Sequence, residues 1–269
     1  MAEGLSCDIL DLTNLTPESL TGVLSYLPAD FLINTCRLVC HQWKDIVDGN
    51  TLWRLKCLRE RFYVPRLMGP PPADFKDYYF KNPYNRNLVK NPSGKDGKLH
   101  WTIEENGGNQ FKVETSNPCA PGSYPCDGMK EEGYETCWAT SYGWCVKHQL
   151  IDLLKEGCTG AVLDQIKPDI YISEWTAARR DCGSTYKLHV QLLGEDKQEV
   201  LDQFSKQRHV EQWEGGHWEK IEHKFQNYPP GVRYIWYQHS GKDLQFWAGH
   251  YGPKLGGSTV RFQFREQTK

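Results

Sequence analysis

The sequence lacks any apolar run near the roughly 18 residues that a membrane-spanning helix needs, so no direct membrane insertion is expected. Its start, MAEGLSCDILDL, lacks the basic and apolar regions of a secretory signal. An excess of charge of one sign is also missing. Lys and Arg number 32 against 34 Asp and Glu, a formal net charge of -2, which offers no basic field to nucleic acid or to an anionic membrane.

Ten cysteines are present, but no C-x-x-C pair. Cys36, Cys40 and His41 lie one helical turn apart with no second ligand pair at zinc spacing, so neither a metal nor a cofactor is expected. Without a signal peptide the thiols are expected to stay reduced, in a cytoplasmic protein. The sequon at Asn14 would then go unused, and the roles of Cys119 and Cys126 stay open. No repeat is visible, which argues against a propeller or solenoid. No nucleophile elbow or nucleophile–base pattern appears. The pairs Glu104-Glu105 and Glu131-Glu132 would point to opposite faces of a strand, which does not suit a glycosidase.

Aromatic residues are plentiful. Ten tryptophans and an aromatic fraction of 13% suit a chain that buries a sizeable core. The first sixty residues read as helices. Thr16, Pro17 and Glu18 form a helix start, and Leu20, Val23, Leu24 and Leu27 make one apolar stripe. A second apolar pattern runs from Phe31 through Leu38, Val39, Trp43 and Val47, and TLWRLKCLRERF reads as a third helix. Three short helices bury little area alone, which predicts a partner. The prolines of VPRLMGPPPADF suit a stiff linker, and ADFKDYYFK suits a helix docking that linker onto a neighbouring domain.

From residue 99 the period is two. HWTIEENGGNQFKVET reads as a hairpin about an Asn-Gly-Gly turn. YKLHVQLL and STVRFQFRE alternate apolar and polar residues, and NYPPGVRYIWYQH follows a turn. Together these predict an antiparallel β-sandwich or jelly roll. The expected fold class is therefore multidomain: a helical module followed by an all-β sandwich.

LPADFLINTCRLVCHQWKDIVDGNTLWRLKCLRE resembles an F-box, the three-helix module that docks onto a Skp-type adaptor and through it onto a cullin–RING ubiquitin ligase. The F-box would span 10–58, the linker 59–84. Family members usually open with Leu-Pro, where this chain has Leu15-Thr16-Pro17. The resemblance implies an adaptor-facing set of Leu15, Pro17, Leu27, Pro28, Leu38, Val39, Trp43 and Trp53.

TSYGWCVKHQLIDLLKEG, KPDIYISEWTAARRDCGSTYKLHVQLL, FQNYPPGVRYIWYQHSGKD and FWAGHYGPK resemble the F-box-associated domain of the sugar-recognising F-box proteins, which would span 85–269. That resemblance implies a galactose-binding-domain-like sandwich that binds high-mannose N-glycans, chiefly the chitobiose core, on misfolded glycoproteins, with ubiquitination in endoplasmic-reticulum-associated degradation as the consequence. It also implies a non-catalytic adaptor, at the cytosolic face of the endoplasmic reticulum. Its sugar-contacting set would be Tyr142, Asp181, Phe246 and Trp247. Glycan binders of the family often carry tyrosine where this chain has Phe246, and some carry lysine where it has Ala248. Two other readings stay open: an adaptor of the same architecture that reads a protein surface, and a lectin-like protein working without the ligase. Trp144, Trp175, Trp218 and Trp236 are expected as core or structural residues and Tyr251 as a packing residue, while Gly249 and Gly252 would allow the turns that present Trp247.

Overall fold

A computed structural model describes residues 15–60, 62, 70–115 and 126–265. The opening stretch with Asn14, the 63–69 part of the linker and Cys119 lie outside the described residues. The chain divides between Asn82 and Pro83 into two compact units.

The first unit is helical, with α1 (Pro17–Leu24), α2 (Ala29–Asn34), α3 (His41–Asp48), α4 (Asn50–Arg59) and α5 (Phe75–Lys81). Thr16 caps α1, its hydroxyl accepting from the Ser19 backbone N–H, and Pro17 occupies the first turn where a missing N–H costs nothing. The expected three helices become more because the pattern from Phe31 to Val47 breaks: a short 3-10 turn, Cys36–Leu38, lies between α2 and α3. Leu20, Leu24, Leu32, Val47, Leu52, Trp53, Phe75 and Tyr79 form the core, while Val23, expected on the buried stripe, is exposed.

ADFKDYYFK does form a helix, capped by the Asp74 carboxylate accepting from the Asp77 N–H. It belongs to this first unit, not to a neighbouring domain. The Tyr79 and Phe80 rings lie 5.1 and 5.0 Å from that of Trp53. Asn50 fastens the helix start, donating to Ala73 O and accepting from Phe75 N–H.

The second unit is the predicted sandwich. Among the described residues ten strands, β1 (Thr102–Asn106), β2 (Lys112–Thr115), β3 (Thr136–Ala139), β4 (Cys145–Asp152), β5 (Asp169–Ala177), β6 (Ser184–Leu193), β7 (Val200–Val210), β8 (Trp218–Phe225), β9 (Tyr234–Asp243) and β10 (Lys254–Gln263), form two sheets. Their orders are β1-β4-β9-β6-β7 and β2-β3-β10-β5-β8, with antiparallel pairing throughout. The alternation read in YKLHVQLL places Tyr186, Leu188, Val190 and Leu192 inside, where each such side chain contributes about 1.5–3 kcal/mol by burial.

The Asn-Gly-Gly segment is not a hairpin turn. β1 pairs with β4 and β2 with β3, so the chain crosses from one sheet to the other there. Glycine is needed for closeness: a Cβ at Gly107 or Gly108 would come within 3.0 Å of Gly143 backbone atoms, and Gly107 N–H donates to Trp144 O.

The registers fix where the loops fall. Asn106 pairs with Cys145, Cys145 with Gly241, Ser184 with Asp243 and with Val210. In the other sheet Lys112, Lys254 and Trp218 meet the ends of β3 and β5. Every odd-to-even connection therefore crosses between sheets at one end of the sandwich: 107–111, 140–144, 178–183, 211–217 and 244–253.

Candidate functional site

That end gathers the sugar-contacting residues expected from the sequence. Tyr142 lies in the β3–β4 connection, Asp181 in β5–β6, and Phe246 and Trp247 in β9–β10. The Tyr142 and Phe246 rings meet edge to face, centroids 5.0 Å apart. Trp247 meets Tyr251 edge to face at 5.7 Å. The Arg179 guanidinium lies over the Tyr251 ring at 4.3 Å and grips Asp181, its Nε donating to Oδ1 at 2.8 Å and its Nη2 to Oδ2 at 2.7 Å. A continuous relay, Trp247–Tyr251–Arg179–Asp181, thus joins two loops that are distant in sequence.

Electrostatics follow from that relay. The guanidinium holds the Asp181 carboxyl below its ordinary range, so it is ionised at neutral pH. Each oxygen keeps a lone pair after accepting from Arg179, so the carboxylate can still accept from hydroxyl or acetamido groups.

Local structure explains why the aromatic pair stands outward. The buried Asp243 accepts the Phe246 N–H at 2.6 Å. Gln245 Oε1 accepts from Gly183 N–H and from the Cys182 thiol, and Leu244 N–H donates to Gly183 O. Farther along, Asn109 Oδ1 accepts from Gly249 N–H, while Ser141 Oγ accepts from Asn109 N–H and donates to Gly249 O. Gly249 has φ +130°, with the Tyr251 ring 2.6 Å from where a Cβ would stand. A Cβ at Gly252 would come 2.3 Å from Thr140 Oγ1. Phe246 itself has φ +59°. The loop is therefore pinned at both ends, and Phe246 and Trp247 are exposed at its tip.

Some expectations change. Tyr251 does pack, between Trp247 and Arg179. Trp144, Trp175, Trp218 and Trp236 are only half-buried: Trp144 carries Lys187 and Lys242 over its ring at 4.7 and 5.2 Å. The fully buried tryptophans are instead Trp53 and Trp138, with Trp101 nearly so. Arg179, Asp243 and Gln245 went unread because a structural partner has no motif. In hindsight only Arg179, two residues before Asp181 in a turn-like ARRDCG, carried a local hint.

In the helical unit, Leu38, Val39, Pro17 and Pro28 are exposed, together with Tyr26 and Phe31. Leu15, Leu27 and Trp43 pack partly against the core. Trp53 is a correction: it is fully buried, its indole N–H donates to Val47 O at 2.7 Å, and it offers no surface to a partner. Arg37 and Lys76 both pair with Asp48, whose carboxyl they hold well below the usual range. No described helix is long and apolar enough to cross a membrane.

Comparison with known proteins gives two family matches, an F-box-like model over residues 14–59 and an F-box associated region over residues 79–262. F-box only protein 6 from Homo sapiens is 40% identical over 252 residues, covering 93% of this chain and 84% of that one. F-box only protein 44 from Homo sapiens is 40% identical over 248 residues, with 92% and 95% covered. F-box only protein 17 from Homo sapiens is 34% identical over 271 residues, with 95% and 94% covered. Among solved structures, the C-terminal family 22 carbohydrate binding module of Clostridium thermocellum Xyn10B gives a distant likeness: TM-score 0.37 at 8% identity, covering 71% of this chain and 97% of that one.

Proposed function

The chain belongs to the F-box proteins that carry an F-box-associated region, non-catalytic substrate-recognition subunits of Skp–cullin–F-box ligases, and from that premise we propose that it selects its clients by their N-glycans. In this reading residues 10–58 dock the adaptor and residues 85–269 present the reader. The ligand is the chitobiose core of a high-mannose glycan on a misfolded glycoprotein, met on the cytosolic side of the endoplasmic reticulum and marked there for degradation. Ubiquitin transfer belongs to the partners; this chain raises the effective concentration of client beside them.

The observation that carries the reading is the pairing of exposed aromatic rings with an ionised, pre-oriented carboxylate on one rigid set of loops. A pyranose has an apolar face of C–H groups and an edge of hydroxyls. Phe246 and Trp247 suit the face, with few rotatable bonds to freeze. Asp181 suits the edge, where a charge-assisted acceptor is strongest. Tyr142 buttresses Phe246 and Tyr251 buttresses Trp247, so little ordering is left to the ligand. Phe246 lacks a phenol hydroxyl and Ala248 lacks a cation, which leaves recognition to stacking and to Asp181.

A reconstituted ligase containing this chain tests the proposal. It is expected to ubiquitinate a denatured high-mannose glycoprotein and to lose that activity once the glycans are enzymatically removed. Equal ubiquitination of the deglycosylated protein would favour the reading of a protein surface instead.

A further inference from the structure

Among the described residues of the sandwich unit, three aromatic side chains are exposed: Trp213, Phe246 and Trp247. All three lie in odd-to-even connections at the same end. Single exposed apolar residues need no explanation, but a cluster does. Phe246 and Trp247 are already part of the proposed site. Trp213, in the β7–β8 connection, is not, although its indole is 66% exposed.

The conformation of Trp213 is unusual in the same way as that of Phe246. Eight described non-glycine residues have positive φ, and Trp213 (φ +74°) and Phe246 are the apolar ones among them. A bulky residue persists there only where its surroundings fix it. Here the surroundings are the loop of Asp181. Trp213 N–H donates to Arg180 O at 2.7 Å, and Gly216 N–H donates to Ala178 O at 2.9 Å. Gln212 Nε2 donates to Asp181 O at 2.9 Å. A Cβ at Gly215 would come 2.4 Å from Arg179 O, so the two loops lie flush.

Strand order sets the spacing. β7 neighbours β6, and β6 neighbours β9, so the strand leading to Trp213 lies about 10 Å, two strand spacings, from the strand leading to Phe246 and Trp247. The Asp181 loop lies between them. Phe246 has Tyr142 and Trp247 has Tyr251 as ring partners, whereas no described ring or cation packs on the Trp213 indole. Its sequence neighbours Glu211, Gln212 and Glu214 carry side-chain oxygens that can accept hydrogen bonds from hydroxyls.

We infer that Trp213 is a second aromatic platform, which stacks on a sugar ring adjoining the one held by Phe246, Trp247 and Asp181. The ligand class is an uncharged oligosaccharide longer than a disaccharide. This inference rests on the glycan reading above and extends it, because it assigns the preference for a longer chain to one residue.

The test compares chitobiose with a high-mannose glycopeptide by calorimetry, using the full chain bound to its adaptor. Trp213→Gly removes the ring while suiting the positive φ, so the loop is kept. Trp213→Phe restores a smaller platform. Trp213→Gly is expected to leave chitobiose affinity unchanged and to weaken the glycopeptide about tenfold, with partial recovery in Trp213→Phe. An unchanged glycopeptide affinity, or an equal loss for both ligands, overturns the assignment while leaving the glycan reading intact. If the wild type binds neither sugar, both fall.

Discussion

Arg179 and Asp181, two residues apart in one loop, form a two-point ion pair in which each carboxylate oxygen receives its own guanidinium N–H. The same guanidinium lies over Tyr251, which supports Trp247. One residue thereby sets the charge and direction of the polar group and steadies the aromatic one.

Replacing Arg179 by alanine should therefore weaken glycan binding about tenfold, and lysine should not rescue it, since an ammonium cannot reproduce the planar two-point grip. The sign of the pH effect follows. The folded-state value of Asp181 lies below the ordinary 3.8, so its contribution is complete above 3.8 and is lost only as pH falls through the lower value. Wild-type binding should stay flat on acidification toward 4, while the Arg179→Ala variant begins to lose affinity earlier. Titrations of binding against pH on the two proteins check this.

Asp243 makes a second prediction. It is buried, and burial raises its carboxyl above the ordinary range, yet it accepts the Phe246 N–H that fixes the exposed tip. Asparagine keeps an acceptor and removes the buried charge, so Asp243→Asn should preserve glycan binding. Alanine leaves that N–H without its acceptor, at a cost of about 1–3 kcal/mol, and should loosen the tip. Calorimetric affinity and thermal unfolding of both variants separate the two outcomes.

The sandwich interior holds an unusual cation. Lys147 is fully buried, with its Nζ 3.4 Å from the Trp101 ring centroid, 4.1 Å from that of Trp138, and without a hydrogen-bond partner. Glu174, reaching across from the other sheet, is held by Tyr186, Ser258 and His239. Burial pushes the Lys147 ammonium well below 10.5 and the His239 imidazole down to about 4. The unfolded chain therefore binds more protons at Lys147 over the window below 10.5, and this group makes folding less favourable at neutral pH than at pH 10. Wild-type stability should therefore rise from pH 7 toward pH 10 through this group, and Lys147→Met should lose that rise. Denaturant unfolding at both pH values reads the difference.

In the helical unit the exposed and buried candidates should part company. Leu38 and Val39 are 73% and 58% exposed, so aspartate at both positions should abolish capture of a Skp-type adaptor with the helical signal unchanged. Trp53→Ala should instead cost about 3–5 kcal/mol of stability and lose adaptor binding through unfolding. Circular dichroism beside a pull-down distinguishes the cases.

Much of this was legible in the sequence, and the failures have identifiable causes. The start of α1 could be read because Thr16 and Pro17 act on their own helix. The strand at 184–193 and the 260–263 end of the last strand could be read because buried and less buried residues alternate there. The Asn-Gly-Gly segment misled because a turn signal describes the bend, whereas the partner strands are chosen by sheet order. Trp53 was misplaced because a motif position does not say which way its ring points. Tyr142, Asp181, Phe246 and Trp247 came from a family pattern, and the structure places all four at one end. Arg179 and Trp213 were missed because what distinguishes them, a salt bridge and a left-handed backbone pinned to a neighbouring loop, exists only once the loops are assembled.

The central claim is that exposed rings at one end of the sandwich bind sugar, and its most direct measurement is capture by an immobilised high-mannose glycoprotein with free chitobiose as competitor. The wild-type chain should be retained and released by chitobiose, while Trp247→Ala should pass through with its fold intact. Retention of Trp247→Ala equal to wild type, or retention that chitobiose does not compete, would contradict the account.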